Sequence, residues 1–355
     1  MGGNLLLKNK LKEKKQFTVS DVAKLAGVSP STVSRVLSNN PRISRATKIK
    51  VEKCMEELGY YPNANARSLA IKKTDAVGII IPTTSDDYFS NPFFPEALRG
   101  IIKAASESGY NLLLSTNTEK GEELKVIKKL VKGSRVDGVI LMTSKVDDEC
   151  IEYLKGIDFP FSLIGSTDEK DEKINMADND NMLATYELTK HIIDIGRKKI
   201  AMIVGDKKLI VSKKRIEGYK KALRESSIKV DEKLLFSGSF DEKTGYDYGM
   251  KISRLKPLPD GLIVADDLVA FGAVKAFEKL NIKIPEDIAV AGFNNSVLAK
   301  NSNIPLTSVD INANELGRKA MNLLVEAIEE GTMGKKLLIP YKIFIRESTK
   351  NNARL

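Results

Sequence analysis

The sequence predicts an all-α helix-turn-helix head followed by an α/β body of parallel, doubly wound sheets arranged as two lobes. Two short helical patterns joined by a glycine turn predict the head, and apolar strands alternating with amphipathic helices from residue 75 onward predict the body. The third observation is charge. Residues 1–73 hold fifteen Lys and Arg against five Asp and Glu, a balance of +10 that equals the net charge of the whole 355-residue chain. A basic module joined to a neutral one suits a nucleic-acid-binding head on a separate sensor or enzyme, because neutralising phosphates needs clustered Lys and Arg. With 42% hydrophobic and 29% charged residues the chain is too apolar for disorder, and none of its apolar runs nears the length of a membrane span. Lys8, Lys10 and Lys12 break up the apolar cluster Leu5 to Leu7, which leaves no signal-peptide core and predicts a cytoplasmic protein. Cys54 and Cys150, far apart and without histidines at metal spacing, read as buried, reduced thiols.

The head begins at TVSDVAKLAGVSPSTVSRVLS, residues 18–38. Val22, Ala23 and Ala26 recur at helical spacing and Gly27 ends the pattern; Ser29 then caps a second helix with Pro30 in its first turn and Val33 and Leu37 facing inward. In such a pair the second helix enters the major groove with its N-terminal residues toward the base edges. That puts Pro30, Ser31 and Arg35 at the bases, where an arginine can take guanine O6 and N7 together, and Thr18, Thr32 and Ser34 nearer phosphates. A third helix, Arg45 to Leu58, follows Ser44 as its cap, buries Val51, Met55 and Leu58, and stops at Gly59.

Residues 60–73, YYPNANARSLAIKK, form a linker in which Pro62 ends what precedes it and Asn63 caps a two-turn helix of small residues with Leu69 as its large apolar one. Too short to be stable alone, it reads either as a segment that folds on DNA with Leu69 wedged into the minor groove, or as a linker whose Leu69 rests on a neighbouring domain. Beyond it, strands are predicted at Val77 to Ile81, Asn111 to Ser115, Val136 to Met142, Phe161 to Ile164, Lys199 to Val204, Gly261 to Val264, Ile288 to Ala291 and, last, Leu337 to Ile345. Ligands of open parallel sheets bind beyond the strands' carboxyl ends, and with two lobes the cleft between them is the expected site. Near those ends stand Phe93 and Phe94 in a loop before a helix opened by Pro95, Arg215 early in a helix, Asp266 after GLIVA and Asn294 after IAVAGF. Asp266 and Asn294 read either as ligand contacts or as helix caps; Arg215 reads as a surface ion pair or as a guanidinium gripping vicinal hydroxyls or a carboxylate.

The runs DVAKLAGVSPSTVSRVLS, GYYPNANARSLA and VGIIIP resemble the lac-repressor and galactose-repressor family of bacterial transcription regulators, from Phe17 to about Arg346. The resemblance implies a periplasmic-binding-protein-like body whose lobes exchange strands near Ala177, Pro305 and Lys335. The domains are then a basic arm over 1–16, which falls outside the family pattern and reads as disordered or as an incorrectly assigned start; a DNA-binding head over 17–61; a hinge over 62–74; and a body over 75–355. Its first lobe covers about 75–177 and 306–335, its second about 178–305 and 336–350. By the same resemblance Leu69 is the wedge of a hinge helix, and Thr18, Ser29, Pro30, Ser31, Thr32, Ser34, Arg35, Asn63, Ala66 and Leu69 are the DNA-facing set. Phe93, Phe94, Arg215, Phe240, Asp266 and Asn294 correspond to positions lining an effector pocket. Asn294 and Asn295 stand where several relatives carry acids, and Leu209 and Val211 where purine-responsive relatives use polar contacts, which favours a neutral sugar. NPFFPEALRGI together with GFNN is similar to the maltose-operon repressors of Gram-positive bacteria and implies maltose or a short maltodextrin.

The rivals predict features that are missing. With one histidine, His191, and neither G-x-G-x-x-G nor G-x-x-x-x-G-K-[ST], neither catalysis, a metal nor a nucleotide cofactor has support. A solute-binding protein would carry an export signal and no basic head. A regulator controlled by a purine-like ligand or by a phosphorylated protein partner stays open. The expectation is a homodimer on a pseudo-palindromic operator in double-stranded DNA, released by a small sugar.

Overall fold

A computed structural model describes residues 17–38, 40–61, 73–82, 89–115, 122–167 and 173–350. The expected basic arm and the hinge helix, with Asn63, Ala66 and Leu69, lie outside the described residues. The chain divides into two compact units between Thr74 and Asp75.

In the head, α1 (Val19–Ala26), α2 (Pro30–Leu37) and α3 (Arg45–Leu58) form where their caps dictate. Thr18 and Asp21 make a reciprocal capping box on α1, and Ser29 and Ser44 each accept an amide hydrogen bond from three residues on, at Thr32 and Thr47. Gly27 and Gly59 end α1 and α3 in the left-handed conformation that glycine adopts without strain. The core is Val22, Ala23, Ala26, Val33, Val36, Val51 and Cys54. Leu37, Met55 and Leu58 were expected there; they pack on its rim instead, half-buried, because each helix turns its adjacent Val36 or Cys54 fully inward.

The body runs β1 (Ala76–Ile80), α4 (Phe93–Glu107), β2 (Asn111–Ser115), α5 (Glu123–Lys132), β3 (Gly138–Leu141), α6 (Glu149–Gly156), β4 (Phe161–Ile164), β5 (Asn175–Asp178), α7 (Asn181–Asp194), β6 (Ile200–Val204), α8 (Ile210–Glu225), β7 (Leu235–Ser237) and α9 (Glu242–Ile252). It continues with β8 (Gly261–Val264), α10 (Asp267–Lys279), β9 (Ala289–Phe293), α11 (Val297–Asn301), β10 (Thr307–Asp310), α12 (Ala313–Glu330), β11 (Lys336–Leu338) and β12 (Lys342–Phe344). Two six-stranded sheets result, ordered β11-β5-β4-β3-β1-β2 and β12-β10-β9-β8-β6-β7. All pairings are parallel except that of β12 with β10. The central strands are buried along their whole length, as expected of sheets covered on both faces.

Four details differ from the sequence expectations. Strands β5, β7 and β10 had not been expected, because NMAD, LFS and TSVD lack a continuous apolar run. The expected last strand, Leu337 to Ile345, is two strands: β11 extends the first sheet beside β5, and β12 the second beside β10. The chain therefore passes between lobes at 178–181, at 310–313 rather than near Pro305, and at 338–342 rather than near Lys335. Cys150 is only half-buried, with its thiol pushed up to about 12 by burial and by Asp148, whereas Cys54 is buried. Among the described residues no helix is long and apolar enough to cross a membrane.

Candidate functional site

Two surfaces gather the residues singled out in the sequence. The first is the N-terminal end of α2. Pro30, Ser31, Ser34 and Arg35 are exposed, and Ser31, Ser34 and Arg35 share by their spacing one helix face turned away from Val33 and Val36. Three hydroxyls converge there: Ser29 Oγ lies 2.8 Å from Ser31 Oγ and 2.9 Å from Thr32 Oγ1, and it caps the helix through Thr32 N. Thr18 Oγ1, at the head of α1, donates to Asp21 Oδ2 at 2.8 Å. A helix N-terminus with exposed hydroxyls and a cation attracts phosphate, and Arg35 one turn further along can reach a base edge.

The second surface is a cavity of about 330 Å³ between the carboxyl ends of the two sheets, lined by all six residues expected of an effector site. Phe93 and Phe94 open α4, rather than preceding it, with rings in a T-shaped contact 5.2 Å apart, both half-buried. Phe240 faces them from the second lobe, its ring filling the space beside Gly205 where a side chain would otherwise stand. Arg215 is 5% exposed, so it is not a surface ion pair. Its Nε donates to Asn181 Oδ1 at 2.9 Å, one terminal nitrogen donates to Ala265 O, and the guanidinium lies 4.1 Å over the ring of Phe293. Burial pulls the Arg215 pKa down to about 10, opposed by Asp266, Asp178 and Asp267, so the group stays cationic at neutral pH.

Asp266 satisfies both sequence readings. Its Oδ1 caps α10 through Leu268 N at 2.8 Å, while Oδ2 accepts from Asn294 Nδ2 at 2.8 Å and from Asn91 Nδ2 at 2.9 Å. Asn294 caps no helix, since Ser296 caps α11; it adopts a left-handed φ of 95°, a region asparagine enters more readily than most residues. An acid at 294 would bring a second carboxylate against Asp266, so the asparagine is the residue that this neighbour accommodates. Burial raises the pKa values of Asp266 and Asp178, and it raises that of Asp267, just behind the cavity, to about 7.

The sequence reading missed several lining residues. Asn91, on the first lobe, reaches across to Asp266, and the 144–146 segment crosses to the second lobe through Val146 N to Lys208 O at 2.9 Å and Ile210 N to Ser144 O at 3.2 Å. Asp178, Asn179, Asn181, Lys145 and Glu123 also line the cavity, with Lys145 Nζ 3.2 Å from Glu123 Oε1. The local signal for Asp178 to Asn181 was a polar D-N-D-N at the end of a strand, which a search for apolar strands passes over. His191 pairs with Thr349 Oγ1 at 2.8 Å in α7, and among the described residues no group of His, Cys, Asp and Glu is placed to hold a metal ion.

Comparison with known proteins places the chain in a family. Residues 18–63 match the family described as bacterial regulatory proteins, lacI family, and residues 189–349 match the periplasmic binding protein-like domain. The HTH-type transcriptional regulator MalR of Streptococcus pneumoniae is 37% identical over 332 residues, 92% of this chain and 98% of that protein. The solved transcriptional regulator CelR–cellobiose complex is 30% identical, with a TM-score of 0.74 over 94% of this chain and 99% of that one. The lac repressor dimer bound to operator and an anti-inducer is 25% identical, with a TM-score of 0.82 over the same shares. The capped helix pair, the two strand-exchanging lobes and these matches along nearly its whole length make the chain a member of the lacI family of DNA-binding transcription regulators.

Proposed function

We propose that the chain is a repressor whose hold on operator DNA is controlled by a neutral sugar, maltose or a short maltodextrin, bound in the cavity between the lobes. The observation that carries this is the cavity's composition: three phenylalanines, a buried arginine, carboxylates and amides on one lining. A pyranose offers apolar C–H faces to aromatic rings, and hydroxyls that need acceptors and donors together. Phe93, Phe94 and Phe240 supply the first need; Asp178, Asp266, Asn294 and Arg215 supply the second. Glu123, Asp178, Asp206, Asp241 and Asp266 outnumber Lys145 and Arg215 on the lining, which opposes a phosphorylated or carboxylate ligand. Leu209 and Val211 present an apolar wall where a purine edge would need polar partners. The similarity to MalR supports maltose within that class.

Two copies of the chain bind a pseudo-palindromic operator, since one head reads only a few base pairs and two multiply specificity. Arg35 and Ser31 read bases, while Thr18, Ser29, Thr32 and Ser34 hold phosphates. Sugar binds one arrangement of the lobes better than the other and shifts the population toward it, so the heads are no longer held at operator spacing and DNA affinity falls by the differential sugar affinity. The test is fluorescence anisotropy on DNA from the gene's own upstream region, titrated with maltose, maltotriose and glucose. Release by maltose or maltotriose but not glucose supports the reading. Tight binding that ignores every sugar leaves the DNA-binding regulator and overturns the sugar effector.

A further inference from the structure

The chain passes between the lobes at 178–181, 310–313 and 338–342, and one side chain touches all three segments. Asn179, 3% exposed on the first segment, donates from its amide nitrogen to Ile311 O on the second at 3.1 Å and to Ile339 O on the third at 2.7 Å. Ile339 N returns a bond to Asp178 O at 2.8 Å. Ile311 and Ile339 are themselves 4% and 5% exposed, so the two carbonyls depend on this amide rather than on water. Beside it, Asn312 begins α12 at a left-handed φ of 51°, with its N–H held by Asp310 Oδ1 at 2.8 Å, which sets the direction in which the second segment leaves the pivot.

The same residue stands at one end of a buried chain of hydrogen bonds into the cavity. Asp178 Oδ1 accepts from Asn179 N at 2.8 Å and from Asn181 Nδ2 at 2.9 Å; Asn181 Oδ1 accepts from Arg215 Nε; and Arg215 donates to Ala265 O, next to the Asp266 that Asn91 of the first lobe grips. We propose that Asn179 is the pivot between the lobes, the residue that holds the three crossover segments on one axis and thereby positions Asp178 of the first lobe against Arg215 of the second. Groups near a rotation axis move least when two bodies turn, so bonds converging on a single amide survive a change of lobe angle that would break bonds at the cavity rim. The pivot lets occupancy of the cavity register as a rotation rather than as separate loosening of each crossover. The coupling part of this inference rests on the cavity being the effector site; the pivot itself does not.

The test uses the full-length protein with Asn179→Ala and Asn179→Ser, the serine keeping one of the two donations. Without sugar, hydrogen exchange followed by mass spectrometry should show the amides of 311–316 and 339–341 exchanging roughly tenfold faster or more in Asn179→Ala, with Asn179→Ser between it and wild type. The amides of β1, β3, β6 and β8 should stay as protected as in wild type. With maltose as probe, calorimetry gives each variant's own maltose Kd, since Asn179 also lines the cavity, and at maltose concentrations that saturate the variant the ratio of operator Kd with and without maltose should fall toward one. Unchanged exchange at the crossovers overturns the proposal, as does faster exchange spread evenly over both sheets, which would make Asn179 an ordinary core residue. Local loosening with an unchanged operator ratio overturns the coupling. If wild type itself ignores maltose, the effector assignment fails and the exchange measurement alone decides the pivot. Should Asn179→Ala not fold, Asn179→Ser carries the same comparison.

Discussion

Asp267 sits 1% exposed behind the cavity, accepting from Ser296 N and Ser308 Oγ, each at 2.8 Å. Those bonds favour its charged form, but burial outweighs them and raises its pKa from 3.8 to about 7. The folded protein therefore keeps this proton to higher pH than the unfolded chain does. Its contribution is neutral below about pH 4 and becomes destabilising as pH rises through the interval up to about 7, where the penalty is complete. Asp267→Asn can accept from Ser296 N and donate to the Ser308 hydroxyl, so its melting temperature should fall less than that of wild type between pH 5 and pH 8; parallel melting curves would refute this. Arg215→Met should keep operator affinity and lose release by sugar. It should also cost about 1–3 kcal/mol of stability in urea unfolding, because Asn181 Oδ1 and Ala265 O would stay buried without this donor. Retained release would remove Arg215 from the effector site. Legibility at this scale followed sequence distance. Asp266 and Asn294 could be picked out because they follow strands and Arg215 from its place early in a helix, whereas Phe240 came through family resemblance alone. Asn91 gave no sign, since its partner Asp266 comes into reach only when the lobes meet.

Helix pairing decides how closely the elements can approach. In three helix pairs, α4 with α12, α7 with α8 and α9 with α10, a glycine of one helix lies against backbone of the other. At Gly272 in α10 a methyl group would overlap the carbonyl oxygen of Glu242, whereas at Gly156, at the end of α6, it would meet nothing within 4 Å. Alanine is favoured over glycine in a helix by about 1 kcal/mol, so the two sites should respond with opposite sign. Gly156→Ala should stabilise by up to about 1 kcal/mol, and Gly272→Ala should destabilise by roughly 2 kcal/mol as the helices are forced apart. Chemical denaturation of the two variants side by side checks this; a stabilised Gly272→Ala would mean that the pair can spread freely. The strands that sequence reasoning passed over have a related cause. Polar side chains of β5 and β10 are buried yet satisfied at long range: Asn175 donates to Leu323 O and Thr332 O, Ser308 to Asp267, and Thr307 Oγ1 lies 2.6 Å from Thr349 Oγ1. A hydrophobicity pattern has no means of registering such partners, while the runs of β1, β3, β6 and β8 need none.

Over the whole molecule, charge is partitioned as sharply as fold. The excess of +10 belongs to residues 1–73, and the remainder of the chain is balanced. DNA affinity should accordingly follow the head's counterion release, with operator Kd weakening by about 10³-fold or more between roughly 50 and 200 mM salt for a pair of heads. Maltose binding, which engages a neutral ligand in the body, should change little over the same range. Equal salt sensitivity of both would mean that the ligand is charged or that the two events are not separate. Charge asymmetry and strand–helix alternation made this division legible from the first reading. The positions of the second and third crossovers were not, because a change of sheet leaves no mark in composition.

The nine residues 336–344 furnish one strand to each sheet, β11 parallel to β5 and β12 antiparallel to β10. In a nascent chain emerging at about 5–20 residues per second, both sheets wait for this one short stretch. Until it has left the ribosome, β5 and β10 each present an uncovered edge, the kind of surface on which unfinished chains join one another. A premature stop before Lys336 would strip both lobes at once, so truncations there should be recovered in inclusion bodies rather than as a protein with one sound lobe.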